Sequence, residues 1–311
     1  MILTVTLNVA IDKRYIVENF NINHVNRVKE CIYSAGGKGL NVSRVAAIAG
    51  EEVLATGFIG GHSGDYVVQE LETQNIKNDF VKVVGESRSC INIYDKINHT
   101  QTEFLEPGVT VTEKNKKEML EKFTELAKKS KVITISGSVP KGIDSSFYKE
   151  LIQTGKKYEK KVLLDTSGIL LEEALKSNPT LIKPNRDEIK ALIGRDVKDR
   201  KDLIQIASDL CKNGIDVVVV SLGSEGSLIA CEEGVYQAIV PKIAAVNTVG
   251  CGDSMLAGFA IGFERELSMI QTIKLASAIS AANALRKETG FFVNEDMQNI
   301  LPKIEVNKLS V

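Results

Sequence analysis

Asn247-Thr248-Val249-Gly250-Cys251-Gly252-Asp253-Ser254-Met255-Leu256-Ala257-Gly258-Phe259 sets two glycines around one small residue, then an acid, then an apolar run. The glycines suit a tight turn with exposed backbone N–H groups. Ser254 to Phe263 is apolar and free of proline, which predicts a buried helix. The acid then falls in the first helical turn, where orphan N–H groups and the positive end of the helix dipole gather. Such a turn is an anion site. Here it carries its own carboxylate, for which a helix start predicts a depressed pKa. Donors for phosphoryl oxygens beside an acceptor for a hydroxyl proton are what phosphoryl transfer needs. The plainer reading of Gly-x-Gly-Asp is a turn with an Asp cap. A dinucleotide fingerprint is a poor match, since the third glycine is missing and the stretch lies late in the chain.

Outward from this turn, the 311 residues are enough for one large α/β domain with an insert, and 43% apolar content supports a full core. Lys+Arg of 39 against Asp+Glu of 40 gives no general attraction to nucleic acid or to an anionic membrane. Cys31, Cys90, Cys211, Cys231 and Cys251 are scattered and form no Cys-x-x-Cys pair. That pattern suits a reducing cytoplasm and excludes a zinc site or a disulfide framework. The start of the chain reads as a first strand and no run is long enough to span a bilayer, so a cytoplasmic location is expected.

Ile2 to Leu7 predicts a buried strand. Asp12 is expected just past its C-terminal end, where open α/β sheets place their ligands. Tyr15–Val17, Arg27–Tyr33, Cys90–Tyr94 and Thr102–Glu106 read as four strands of a small, mostly antiparallel sheet inserted into the larger unit. Ser34-Ala35-Gly36-Gly37-Lys38-Gly39-Leu40-Asn41 leads into a helix that Gly50 ends. It is no P-loop, because Lys38 is followed by Gly39 and no glycine sits five residues before Gly37. Its glycines still let a ligand approach the backbone, and Lys38 supplies a point charge for a phosphate.

Strands at 53–59, 132–135, 162–164, 180–182 and 217–220 then alternate with helices, among them Glu113–Lys129 and one capped by Asp144. That order predicts a mostly parallel sheet covered on both faces. Polar residues recur just after the strands, so several strand ends should meet on one edge. Ile270 to Lys287 predicts a long helix of small residues, followed by one short helix and an edge segment to Val311.

Ala35-Gly36-Gly37-Lys38-Gly39-Leu40-Asn41-Val42 and Thr248-Val249-Gly250-Cys251-Gly252-Asp253-Ser254 resemble the two signatures of the PfkB carbohydrate kinases of the ribokinase-like superfamily. Ser136-Gly137-Ser138-Val139-Pro140, Lys183-Pro184-Asn185-Arg186-Asp187-Glu188 and Ser221-Leu222-Gly223-Ser224-Glu225-Gly226 match between them in order. The likeness is nearest the branch of 1-phosphofructokinases and tagatose-6-phosphate kinases.

The resemblance implies a single ribokinase-like domain over residues 1–311. Its three-layer α/β sandwich would carry a small β-sheet lid built from about 12–34 and 88–107, through which a homodimer would form. It implies Asp253 as catalytic base, and Gly250, Cys251 and Gly252 as backbone donors to the phosphoryl group. Asp12, Gly37, Asn41 and Ser138 would bind the sugar. Lys38 and Arg88, with Arg27, would bind the phosphate already on it. Lys183, Asn185, Ser221, Gly223, Gly226 and Asn283 would line the ATP site, and Asn185 and Glu188 would lie near Mg2+. Two cations facing the substrate favour a phosphosugar over a free sugar.

The expected reaction is ATP-dependent phosphorylation of a ketohexose monophosphate. Fructose 1-phosphate comes first, tagatose 6-phosphate second, and fructose 6-phosphate further behind. A different class, a non-catalytic sugar-phosphate sensor on this fold, would have no use for both Asp253 and Glu188. Cys251 stands where alanine or serine is commoner, which suggests sensitivity to thiol reagents.

Overall fold

The computed structural model describes residues 1–309. The strands in chain order are β1 Ile2–Thr6, β2 Ala10–Val17, β3 Glu30–Gly36, β4 Val53–Ile59, β5 Lys77–Asn78, β6 Val81–Lys82, β7 Arg88–Asp95 and β8 Thr100–Leu105. They continue with β9 Val132–Ser136, β10 Lys161–Asp165, β11 Leu181–Ile182, β12 Val217–Ser221, β13 Ser227–Cys231, β14 Gly234–Ile239 and β15 Glu305–Leu309. The helices are α1 Lys38–Ile48, α2 Gly61–Thr73, α3 Glu113–Lys129, α4 Phe147–Lys157 and α5 Ile169–Leu175, then α6 Arg186–Ile193, α7 Arg200–Lys212, α8 Cys251–Glu264, α9 Met269–Ala284 and α10 Asn294–Ile300.

The large sheet runs β15-β14-β13-β12-β11-β10-β9-β1-β4-β5, with β6 also on β4. It is parallel from β12 to β5, and antiparallel from β12 outward to β15. Its strands bury both faces. Val217 and Val219 pack into one core, with residues of α1, α2, α8 and α9, while Val218 and Val220 pack into the other, with residues of α3, α4 and α7. Alternate residues of a strand point to opposite faces, so a continuous valine run is what a sheet between two helical layers needs. This is the ribokinase-like three-layer sandwich, with a separate small sheet beside it. Among the described residues no helix is long and apolar enough to cross a membrane.

The small sheet has the order β3-β2-β7-β8; β2 pairs antiparallel with β3 and parallel with β7, and β7 antiparallel with β8. Its first strand starts earlier than its sequence suggests. Only Leu7, Asn8 and Val9 separate β1 from β2, so Asp12 belongs to a strand of the small sheet and not to a loop after β1. Strand pairing fixes its place: it stands opposite Ser34 on one side and Cys90 on the other.

A second correction concerns α4. Asp144 accepts from the Ser146 N–H (2.9 Å), but the helix starts at Phe147 with Ser146 at its cap position, so Asp144 closes the preceding turn. The final segment does form a short helix and an edge strand, β15; Ser310 and Val311 lie outside the described residues.

Candidate active site

The parallel strands all present their carboxyl ends to one edge, and a cleft of about 850 Å3 opens there. It is lined by Thr6 at the end of β1 and Asn8 beyond it, Ser136 of β9 with Gly137 and Ser138 beyond it, Asp165 of β10 and Thr166 beyond it, Lys183 and Asn185 after β11, and Ser221 of β12. The inner face of the small sheet closes the opposite side with Asp12, Arg14, Arg88 and Asn92. Crevices outside the carboxyl ends of strands are where open α/β sheets bind ligands.

Two helix starts meet in this cleft. Gly250 precedes α8 in the left-handed region (φ 81°), where a Cβ would stand 2.7 Å from the Gly290 nitrogen. Only glycine allows both the conformation and that approach. The Cys251 N–H turns back to the Thr248 carbonyl (3.3 Å). The N–H groups of Gly252 and Asp253 find no acceptor among the described residues, so they, more than that of Cys251, are open to an anion. The Cys251 thiol is pushed up by burial, away from a reactive thiolate, so the expected thiol sensitivity does not follow.

Across the cleft, Gly37 caps α1, which begins at Lys38. Asn41, one turn in, donates from Nδ2 to Asp253 Oδ2 (2.8 Å). This single contact joins two motifs 212 residues apart.

The charges are arranged around Asp165, which is 2% exposed. Its Oδ1 accepts from Lys38 Nζ (3.2 Å) and its Oδ2 pairs with Lys183 Nζ (3.2 Å). Burial pushes the Asp165 carboxyl up, but the two lysines more than reverse this and hold it below its usual range. Burial likewise pulls the Lys38 ammonium down, and the carboxylates of Asp165, Asp253 and Glu188 outweigh it, so Lys38 stays charged.

Asp253 has the opposite balance. Burial raises its pKa to about 6, Asp165 adds to the rise, and Lys38, Asn41 and Lys183 offset it only in part. The depressed pKa expected from its helix-start position is therefore overturned, because desolvation exceeds the dipole. Asp12 is also raised to about 6, by burial first, with Arg44 and Arg88 opposing.

Asn185 and Glu188 form a capping box at the start of α6. Glu188 Oε2 accepts from the Asn185 N–H (2.9 Å), and Asn185 Oδ1 accepts from the Glu188 N–H (2.8 Å). Glu188 keeps Oε1 free of hydrogen bonds among the described residues. These residues hold no group of three His, Cys, Asp or Glu suited to a metal ion. One free carboxylate oxygen at the cleft wall fits a magnesium ion that keeps its waters and takes other ligands from phosphates; it does not fit an all-protein cage.

Arg88 donates to the carbonyls of Asn8 (Nε, 3.2 Å) and Glu106 (Nη1, 3.2 Å) at the cleft wall. Ser138 Oγ accepts from Asn8 Nδ2 (3.1 Å).

Five of the expected site residues stand outside the cleft lining, Cys251 among them. Arg27 is exposed on the 18–29 loop and lies outside the cleft lining. Gly223 and Gly226 shape the turn after β12 without lining the cleft. Asn283 on α9 is fully buried: it donates to the Val249 carbonyl (3.2 Å) and accepts from Ser254 Oγ (3.1 Å) and the Phe291 N–H (3.0 Å), bracing the glycine turn from behind.

Sequence reasoning missed Asp165 and Arg44, both of which line the cleft. Asp165 had a signal, an acid closing an apolar strand. Arg44 had one too, a cation three residues after Asn41 and so on the same helix face, among apolar neighbours.

A profile described as pfkB family carbohydrate kinase matches residues 5–296. Tagatose-6-phosphate kinase of Staphylococcus epidermidis is 40% identical over 309 residues, which cover 98% of this chain and 99% of that one. Among solved structures, phosphofructokinase-2 from Escherichia coli in complex with potassium has a TM-score of 0.92 at 28% identity, covering 97% of this chain and 98% of its own. A possible 1-phosphofructokinase from Thermotoga maritima has a TM-score of 0.91 at 30% identity, covering 100% of both chains.

Proposed function

The chain belongs to the pfkB family of carbohydrate kinases, and from that premise we propose that it transfers a phosphoryl group from ATP to a ketohexose monophosphate. The product is a ketohexose bisphosphate. What supports the reading is the meeting of the Asp253 turn and the Lys38–Asn41 turn in one cleft, joined by the Asn41–Asp253 contact at 2.8 Å. A pKa near 6 suits Asp253 to act as a base at neutral pH.

In this reading Asp253 takes the proton of the acceptor hydroxyl as the new O–P bond forms and the bond to the departing ADP oxygen breaks. The N–H groups of Gly252 and Asp253 face the charge on the phosphoryl oxygens. Lys183 supports the turn from below; a Cβ on Gly252 would stand 3.1 Å from its Nζ. Mg2+, when bound, neutralises nucleotide phosphate charge, and Glu188 with Asn185 would hold it at the cleft wall. Ser221 borders the nucleotide side, with Gly223 and Gly226 shaping the turn behind it.

Asp12, Gly37, Asn41 and Ser138 bind the sugar, and Lys38 and Arg88 its phosphate. The small sheet serves as a lid on the single α/β domain, and a second copy docks on its outer face.

Tagatose 6-phosphate heads the candidate substrates, because the relative sharing 40% of its residues is named for it. Fructose 1-phosphate, first in the sequence reading, stands second on the 30% likeness to the possible 1-phosphofructokinase.

A coupled ADP-release assay over tagatose 6-phosphate, fructose 1-phosphate and fructose 6-phosphate tests the proposal. The expected result is turnover with kcat/KM highest for tagatose 6-phosphate. Turnover confined to free sugars or nucleosides would overturn it, and binding without ADP release would point to a sensor. Lys38→Ala should raise KM for the phosphosugar roughly tenfold or more, as expected for losing a charged hydrogen bond of about 1.5–3 kcal/mol.

A further inference from the structure

Arg44 is a cation buried in the wall of the cleft, 5% exposed, on the helix face that also carries Asn41. Four of the five N–H groups of its guanidinium are committed. Nε donates to Gln74 Oε1 (3.1 Å), just past α2, and Nη2 to the Ala35 carbonyl on β3. Nη1 donates both to the Thr289 carbonyl (3.0 Å), beyond α9, and to Asn41 Oδ1 (3.1 Å).

The last of these bonds determines how Asn41 can serve Asp253. A carboxamide has one accepting end and one donating end. With Oδ1 held by Arg44, only Nδ2 can face Asp253, where it donates to Oδ2 at 2.8 Å. Gly290 lies against the Asn41 side chain so closely that a Cβ there would come within 2.6 Å of the Asn41 Cβ.

We propose that Arg44 is a positioning residue for phosphoryl transfer: it locks the Asn41 amide with its N–H toward Asp253, so that one carboxylate oxygen is held and the other is open to the acceptor hydroxyl. The role rests on the kinase reading above. If the amide turns over, its carbonyl oxygen meets a carboxylate oxygen. That contact is tolerable only when Asp253 carries a proton, and a protonated Asp253 is no base. Arg44 therefore works against the inactive pairing. Lysine cannot replace it, since one ammonium on a flexible stem cannot reach Gln74, Ala35, Thr289 and Asn41 in a fixed fork.

The charged groups facing Asp253 are Asp165 at the end of β10, Lys38 and Arg44 on α1, and Lys183 after β11. The test uses the full-length protein and the variants Arg44→Lys and Arg44→Gln, with thermal melts to confirm folding. The first readout needs no turnover. NMR of the parent follows the Asn41 side-chain amide and the 13C-labelled carboxyl of Asp253 through pH 4–8. The proposal expects both signals to titrate together in the parent, and the Asp253 midpoint to move upward in Arg44→Lys, where the charge remains but the fork is lost.

The second readout is the pH profile of kcat with the phosphosugar. Its acid limb should move upward and kcat should fall roughly tenfold or more, a part of the 10²–10⁴ a positioned base contributes, with a smaller change in KM. An Asn41 amide that ignores the titration of Asp253 in the parent overturns the proposal, and this measurement stands even if both variants fail to fold. Folded variants that keep the Asp253 midpoint and the pH profile overturn it as well. Absence of phosphosugar turnover in the parent would remove the kinase reading alone, leaving the NMR result to judge the positioning role.

Discussion

Burial raises the pKa of Asp253 while Lys38, Asn41 and Lys183 lower it, and burial prevails with Asp165 adding to the rise. The value of about 6, against an ordinary 3.8, has a stability consequence with a definite sign. A carboxyl raised in the folded state binds its proton more tightly there than in the unfolded chain. Its contribution to stability is present below about pH 3.8 and is lost as pH rises through about 6. Ionised Asp253 is thus a strain on the fold, carried for the base role proposed above. Asp253→Asn should abolish turnover, yet raise the thermal stability at pH 8 by about 1–3 kcal/mol, with the gain fading below pH 6. Melting curves at pH 5 and 8 check this, and a variant that melts lower than the parent at pH 8 would contradict it. Asp253, Lys38 and Asn41 were legible in the sequence because each sits beside glycines that mark a ligand-facing turn. The roles of Asp165 and Arg44 were not, because they depend on Lys183 and Thr289, partners that only folding brings close.

Helix α8 is read from its sequence as buried, and its packing on α9 shows why it has glycines inside it. A Cβ at Gly258 would come within 2.3 Å of the Ala276 Cα, and one at Gly262 within 2.4 Å of Thr272 Cγ2. Glycine in a helix interior costs roughly 1 kcal/mol against alanine, so propensity alone would favour replacing it. Close packing reverses that sign here. Gly258→Ala should destabilise the protein by about 1–3 kcal/mol, the usual cost of overpacking, lowering its melting temperature. It should also lower kcat, because the same two helices hold Ser254 against Asn283 (3.1 Å) behind the glycine turn. An unchanged melting temperature would mean that the helices can separate without cost. Elements with a complete pattern were readable: α3 spans Glu113–Lys129 as its amphipathic stripe suggests, and Thr112 caps it. The hairpin β13–β14 went unread, since Glu232 and Glu233 give no hairpin turn signal stronger than Gly234 alone. Strands β5 and β6 have two residues each, too few for any periodicity. Strand β2 was read late because Asp12, Lys13 and Arg14 look like a polar loop; they are tolerated in a strand because one face of the small sheet meets the cleft.

Strand alternation gives that small sheet two faces, for which two different roles are proposed. The register sets Ser34, Asp12, Cys90 and Leu105 in one row on the cleft side. The adjacent row is Tyr33, Lys13, Ile91 and Phe104; Tyr33 is 48% and Phe104 53% exposed, and Phe104 stands outside the cleft lining. A four-stranded sheet with exposed aromatic residues such as Tyr33 and Phe104 gains stability by packing against something, and the proposed partner is a second copy of the chain. Sedimentation velocity of the parent should then give a dimer, and Phe104→Glu should give a monomer with a normal circular dichroism spectrum. Asp12 and Arg88 reach the cleft from the same strands whose backs would form the contact, so loosening the sheet moves both. The monomeric variant should accordingly show a raised KM for the phosphosugar and a nearly unchanged KM for ATP, whose proposed residues follow strands of the large sheet. A parent that sediments as a monomer at assay concentration while turning over normally would show that the sheet closes the cleft without a partner. The exposed Tyr33–Phe104 row would then have no bearing on catalysis.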